Sequence, residues 1–360
     1  LRAFADVKSL VTMAQGLVSM MDPTVGRKLE ATGVTGLHSV LYRGGFDGPQ
    51  LRSLMEVDAP GPRQGLLRLA GGKPLTLDRL PPLPPDVSRW SAHRLDPAAI
   101  YDVATSLFDL AHPPDPGDGP GETAAQRLDK AAGIDFKADL LPYLSDFLVA
   151  YASPSEGLIS FGQVMAIEVK DGEKVLQALD QIVQTQAGGN VRIRKRPIGD
   201  GEVREIYVRK QGFFFTPTYA VYKGWLVMSL FPQPVQAFVQ RAAGAGKAWE
   251  PDAGVKANFA ALPKTACGLA VADARPSVQQ ALTFAPIIIQ AAQGFGSGGT
   301  FEVGTLPSAS LVNQRLTPTV TTLTDAGQTL RWESRGALPL PGDFIGLDPV
   351  LLLISASIFN

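Results

Sequence analysis

A chain of 360 residues with 45% hydrophobic and 19% charged side chains has the material for a sizeable core, which excludes disorder throughout. A net charge of −1 excludes a global pull toward nucleic acid or an anionic surface, and one cysteine, Cys267, excludes a disulfide scaffold. No apolar stretch reaches the roughly 20 residues that span a bilayer.

The chain starts at Leu1, which suggests that a segment before it, such as an export signal, has been removed. Residues 37–43 and 50–57 read as two strands about a turn at Phe46-Asp47-Gly48. Residues 80–86, LPPLPPD, read as a stiff polyproline connector. Next comes a strand in which Trp90 and Ala92 alternate with Arg89 and His93, the pattern of a half-buried sheet. Asp96 fits a helix N-cap and Pro97 the first helical position, and Ile100, Val103, Leu107 and Leu110 then line one face. Residues 112–121, HPPDPGDGPG, can hold neither helix nor ladder. They divide the chain into an N-terminal α+β part at 1–112, a linker or loop at 113–121, a larger α+β part at 122–345, and an apolar C-terminal segment at 346–360.

The strand–turn–helix unit recurs three more times. In QVMAIEVKD-GEKVLQALDQIVQT, Val164, Ala166 and Glu168 alternate with an all-apolar set, Met165, Ile167 and Val169. Residues 191–196 and 203–209 form a hairpin about Ile198-Gly199-Asp200-Gly201, and 218–222 with 225–230 a second about Lys223-Gly224. The third unit is WLVMSLF-PQPVQAFVQRAAG, with Gly244 as C-cap. The fourth is ACGLAVADA-RPSVQQALTFAPIIIQAA, where Pro286 is expected to kink or end the helix. Residues 294–300, GFGSGGT, read as a flexible loop. A last hairpin joins 319–323 to 329–334 about Asp325-Ala326-Gly327. Successive hairpins with interspersed helices predict an α+β fold, with largely antiparallel sheets and helices packed on one face.

Three segments together resemble a known group. They are GIDFKADLLPYLSDFLVAYASP from Gly133, MAIEVKDGEKVLQALDQI from Met165, and PTYAVYKGWLVMSLFPQPVQAFV from Pro217. In this pattern the chain, from Gly33 to Pro341, is similar to uncharacterised exported bacterial proteins of the planctomycete type, related to a domain-of-unknown-function family. The resemblance implies an extracytoplasmic location, in the periplasm or cell envelope, and a soluble α+β ectodomain. It transfers no catalytic or ligand residue.

Motifs for chemistry are sparse. His38 and His93 fall on predicted strands and His112 in the Pro-rich loop, with no HExxH and no helical pairing. There is no G-x-S-x-G elbow, and Ser297 sits among loop glycines. Residues 243–247, AGAGK, follow a helix and lack the flanking residues of a phosphate loop. Cys267 reads as a small buried hydrophobe. Asp96, Asp171 and Asp273 recur at unit junctions, where helix capping explains them with less assumption than a Ca²⁺ or catalytic role. Glu168 on an apolar strand needs an edge position or an arginine partner. The candidate contact surface is the basic hairpin and the aromatics after it: Arg192, Arg194, Arg196, Arg204, Arg209, Phe213, Phe214 and Phe215.

From these features the expectation is a non-enzymatic envelope protein, a binding or assembly module without cofactor or metal. Its partners would be another envelope protein or a second copy, and no nucleic acid. Membrane association would come only through a removed N-terminal segment or the C-terminal apolar segment. One alternative is a periplasmic carrier of an apolar ligand such as a lipid. A second is a hydrolase or metalloenzyme with an unrecognised site.

Overall fold

The computed structural model describes residues 1–18, 25–111, 121–157, 162–186, 191–208, 215–294 and 306–337. Thirteen strands form one sheet in which every neighbouring pair is antiparallel, in the order β1-β2-β3-β13-β12-β11-β4-β5-β6-β10-β9-β8-β7. In chain order, β1 (Arg2–Asp6), α1 (Val7–Val18) and α2 (Val25–Thr32) precede the hairpin β2 (Ser39–Asp47) and β3 (Gln50–Asp58). Next come β4 (Arg89–Arg94), α3 (Pro97–Ala111), α4 (Ala124–Ala132), β5 (Leu144–Ala152), β6 (Gln163–Val169) and α5 (Gly172–Gln186). The hairpins β7 (Val191–Ile198) with β8 (Gly201–Val208) and β9 (Thr218–Tyr222) with β10 (Trp225–Ser229) lead into α6 (Pro232–Ala242) and α7 (Ala253–Ala261). The chain continues through β11 (Gly268–Ala272), α8 (Arg275–Gly294), α9 (Ala309–Asn313), β12 (Thr319–Asp325) and β13 (Thr329–Gly336). This is the expected α+β class, and all four strand–helix units are present: β4 with α3, β6 with α5, β10 with α6, and β11 with α8.

Local chemistry accounts for the joints. Lys223 and Gly224 both take positive φ, 46° and 80°, as a two-residue hairpin turn with the right-handed strand twist requires. The Asp171 carboxylate accepts from the Lys174 N–H at 3.1 Å, and that of Asp96 from the Ala98 N–H at 3.1 Å, so both cap helices. Asp273 accepts from the backbone and side chain of Arg275. At the end of α6 the Gly244 N–H reaches the Arg241 carbonyl and the Ala245 N–H the Gln240 carbonyl, both at 2.9 Å. That pairing is a Schellman stop, and residues 243–247 serve it.

Four expectations change. Helices pack on both faces of the sheet, because β5, β6, β9 and β10 are apolar at successive positions. Ala220 and Tyr222 of β9 join Val235, Phe238 and Val239 of α6 in one core. Tyr219 and Val221 of the same strand join Val175 and Ala178 of α5 in another, on the opposite face. β4 is buried from Trp90 to His93, with Trp90 and Ala92 in the core that also holds Val255 and Phe259 of α7. The first hairpin turns one step later, with Asp47 paired to Gln50 and Gly48 at φ 63°. Helix α8 runs on through Pro286 to Gly294, so that proline does not end it.

The segment 80–86 is irregular, as its prolines dictate, yet Pro81, Leu83 and Pro84 are buried against the α6 core. Arg241 of α6 fixes it by donating to the Pro82 carbonyl at 3.0 Å, and the same guanidinium pairs with buried Glu156. The parts on either side of residues 113–121 share the single sheet, since β4 lies between β11 and β5 and β3 pairs with β13. Residues 346–360 lie outside the described residues.

Candidate functional site

Helix α3 carries a second apolar stripe beside the one its sequence pattern announces. Pro97, Ile100, Tyr101, Ala104, Thr105 and Phe108 follow the i, i+3, i+4, i+7, i+8, i+11 spacing of one helical face. This face does not close on the sheet. It forms the roof of a cavity of about 460 Å³. The floor is Leu144 and Leu148 of β5 with Met165 and Ile167 of β6. The walls are Ala124, Arg127 and Leu128 of α4 and the π-helical turn Phe136–Leu140 with Leu141.

The cavity stays open because its walls hold each other apart. A capping box at Thr123 and Gln126 starts α4, and Gly133 at φ 72° ends it. The Asp129 carboxylate then accepts from the Tyr101 hydroxyl at 2.9 Å and from the Phe136 N–H at 3.3 Å, tying α3, α4 and the π turn together. The Tyr101 and Phe136 rings stack with centroids 5.5 Å apart. Burial first, and then the Asp129 carboxylate, push the Tyr101 hydroxyl far above its ordinary pKa, so it stays protonated and donates. The Thr105 hydroxyl bonds back to the Tyr101 carbonyl at 2.8 Å.

Among the described residues, one charge touches the cavity, that of Arg127. Arg127 donates from Nη2 to Asp109 Oδ1 at 3.0 Å, and the same carboxylate oxygen takes the Ala124 N–H at 2.5 Å. Its guanidinium lies 5.2 Å from the centre of the Phe108 ring. The Arg127 side chain is 42% exposed, which puts it at the mouth. Chemically, this arrangement can hold an apolar molecule. It presents no nucleophile–base pair, because its hydroxyls are spent on structural hydrogen bonds.

The sequence-derived contact surface is only partly assembled. Arg192 and Arg194 are exposed on β7, an edge strand. Arg196 is exposed but pairs with buried Glu205 at 3.0 Å. Arg204 is no surface residue: it is buried, with Asp180 at 2.9 Å and Glu202 at 3.1 Å neutralising it. Phe215 is partly exposed against Phe231, centroids 5.7 Å apart. Arg209, Phe213 and Phe214 lie outside the described residues. Row after row, cations and Pro197 line the free side of β7, the composition that blunts a sheet edge.

Other candidates settle into structural roles. Glu168 has the arginine partner that its position demands, Arg79 at 2.7 Å, and accepts from the Ser145 hydroxyl at 2.9 Å. Cys267 is buried, and burial raises its thiol to about 11. His38 lies 3.5 Å from Asp58. His93 is buried with Nε2 unpartnered, and burial lowers its pKa to about 4. His112 and Ser297 lie outside the described residues. Among the described residues, no three His, Cys, Asp or Glu side chains are grouped to hold a metal, and no helix is long and apolar enough to cross a membrane.

The cavity was missed from sequence because its lining is spread from Pro97 to Ile167 and reads as ordinary core. The available signal was α3 itself, which is apolar around more than one face. No family model, curated protein or solved structure matches the chain.

Proposed function

We propose that this chain is a non-enzymatic binding protein of the bacterial envelope that holds an apolar ligand, such as a lipid, between α3, α4 and the β5–β6 floor. One observation carries the reading. A cavity of about 460 Å³, lined by aliphatic and aromatic side chains, lies over β5 and β6, in the part of the sheet that carries packed cores on both faces. Small-molecule sites occupy roughly 300–1,000 Å³ and share this mostly apolar lining. Its apolar walls meet water in the open pocket, so an apolar ligand that covers them gains their burial. The placement in the envelope rests on the family resemblance alone.

A neutral naphthylamine dye, which fluoresces on leaving water, tests the reading. Saturable fluorescence is expected with the wild-type protein. Ala104→Trp, which drives an indole from the roof into the cavity, should weaken dye binding by about tenfold or more while circular dichroism stays native. Undiminished dye binding in a folded Ala104→Trp variant, or no binding at all, would count against the cavity as the site.

A further inference from the structure

Resting on that reading, we infer that the cavity selects a single-chain amphiphile with an anionic carboxylate head, of the fatty-acid class, whose head sits at Arg127 and whose chain lies over Leu148 and Met165. Three features of the cavity support this choice.

The first is the charge pattern. Among the described residues that line the cavity, Arg127 is the charged one. A purely apolar ligand would need no charge there. A zwitterion or cation would place its positive head beside the guanidinium. The nearby cations Lys130 and Lys137 do not line the cavity, whereas Arg127 does, with Asp109 at 3.0 Å as its carboxylate partner.

The second is donor capacity. A guanidinium carries five N–H donors in a planar fork that matches a carboxylate. Among the described residues, Arg127 makes one hydrogen bond, from Nη2 to Asp109 Oδ1. That oxygen is already shared with the Ala124 N–H, so Asp109 leaves the rest of the fork free to take a second carboxylate.

The third is position. The Phe108 ring lies 5.2 Å from the guanidinium, and Phe108 also lines the cavity. The stacked ring orients the fork at the boundary between water and the apolar interior. An amphiphile needs such a boundary: solvated charge at one end and dry carbon at the other.

Three probes of equal chain length, dodecanoate, dodecanol and dodecyltrimethylammonium, each displace the naphthylamine dye from wild-type protein and from Arg127→Gln. For the wild type the expected order is dodecanoate about tenfold tighter than dodecanol, with the cation weakest. In Arg127→Gln, dodecanoate should fall to the level of dodecanol, while dodecanol itself is unchanged, which also shows that the variant is folded. Added salt should weaken dodecanoate alone. Equal affinity for dodecanoate and dodecanol in the wild type overturns the inference and leaves the apolar-ligand reading standing. So does an equal loss of both in the variant. Failure of all three probes to displace bound dye overturns the inference too, and failure of the dye itself to bind overturns the underlying reading.

Discussion

Acid should destabilise this fold through one imidazole. His93 sits on the central strand β4, cross-strand from Leu148 of β5 and Gly268 of β11, and its Nε2 has no hydrogen-bond partner among the described residues. Burial lowers its pKa to about 4, against about 6.5 in an unfolded chain. Above about pH 6.5 neither state binds the proton, and the fold keeps its full stability. Below that, the unfolded chain takes a proton that the folded chain refuses, and stability falls by about 1.36 kcal/mol per pH unit until pH approaches 4. Between about pH 7.5 and about pH 4.5 the loss integrates to about 2–3 kcal/mol. His93→Leu removes the titrating ring and its orphaned nitrogen from the same buried space. Urea unfolding at a series of pH values, run on both proteins, isolates the effect, because every other titrating group is common to the pair. The wild type should lose about 2–3 kcal/mol more than the variant over this window. Parallel pH dependences in the two proteins would refute the reasoning.

Two further outcomes follow from buried groups. Arg241→Met should destabilise the protein by about 3–5 kcal/mol in urea melts, because it strands the buried Glu156 carboxylate and releases the Pro82 carbonyl and Tyr151 hydroxyl that the guanidinium holds. Adding Glu156→Gln should restore part of that loss. Cys267 should resist alkylation by iodoacetamide at about pH 8 in the native protein and react fully once unfolded, as mass spectrometry of the adduct would show, since burial both blocks the thiol and raises it to about 11.

Hairpins and helix starts were legible in the sequence because their causes are local. Lys223-Gly224 sits between two apolar runs, and a positive φ at both positions makes the turn. Asp96-Pro97 and Asp171 announce helices that their carboxylates then cap. Glu168 could be assigned an arginine partner from electrostatics alone, although its identity, Arg79, required the fold. What stayed hidden depends on distant pairing. Nothing local tells that Arg204 turns inward to Asp180 of α5 while Arg192 and Arg194 of the facing strand stay in water. Period-two alternation in β4 suggested one solvated face. The cover comes from distant elements such as α7, whose Phe259 ring stacks on Trp90, and no window around residue 90 contains them. The cavity is hidden for the same reason: empty space has no residue of its own, and apolar side chains around a hole read like those around a core.

The strand order has a consequence for how the chain must be made. The last three strands, β11 to β13, fill the gap between β3 and β4, and the bond from Arg52 to Glu333 closes a separation of 281 residues. During synthesis β5 to β10 can assemble among themselves soon after they emerge. The opening hairpin has no such neighbour: the partner edge of β3 stays bare until the C-terminal strands arrive, and β4 waits for β11 on one side. The late strands act as a keystone, joining two rafts of sheet that would otherwise be separate bodies with sticky borders. A chain that stops before β13 therefore leaves the inner edges of β3 and β12 unpaired, two borders open to the wrong partner.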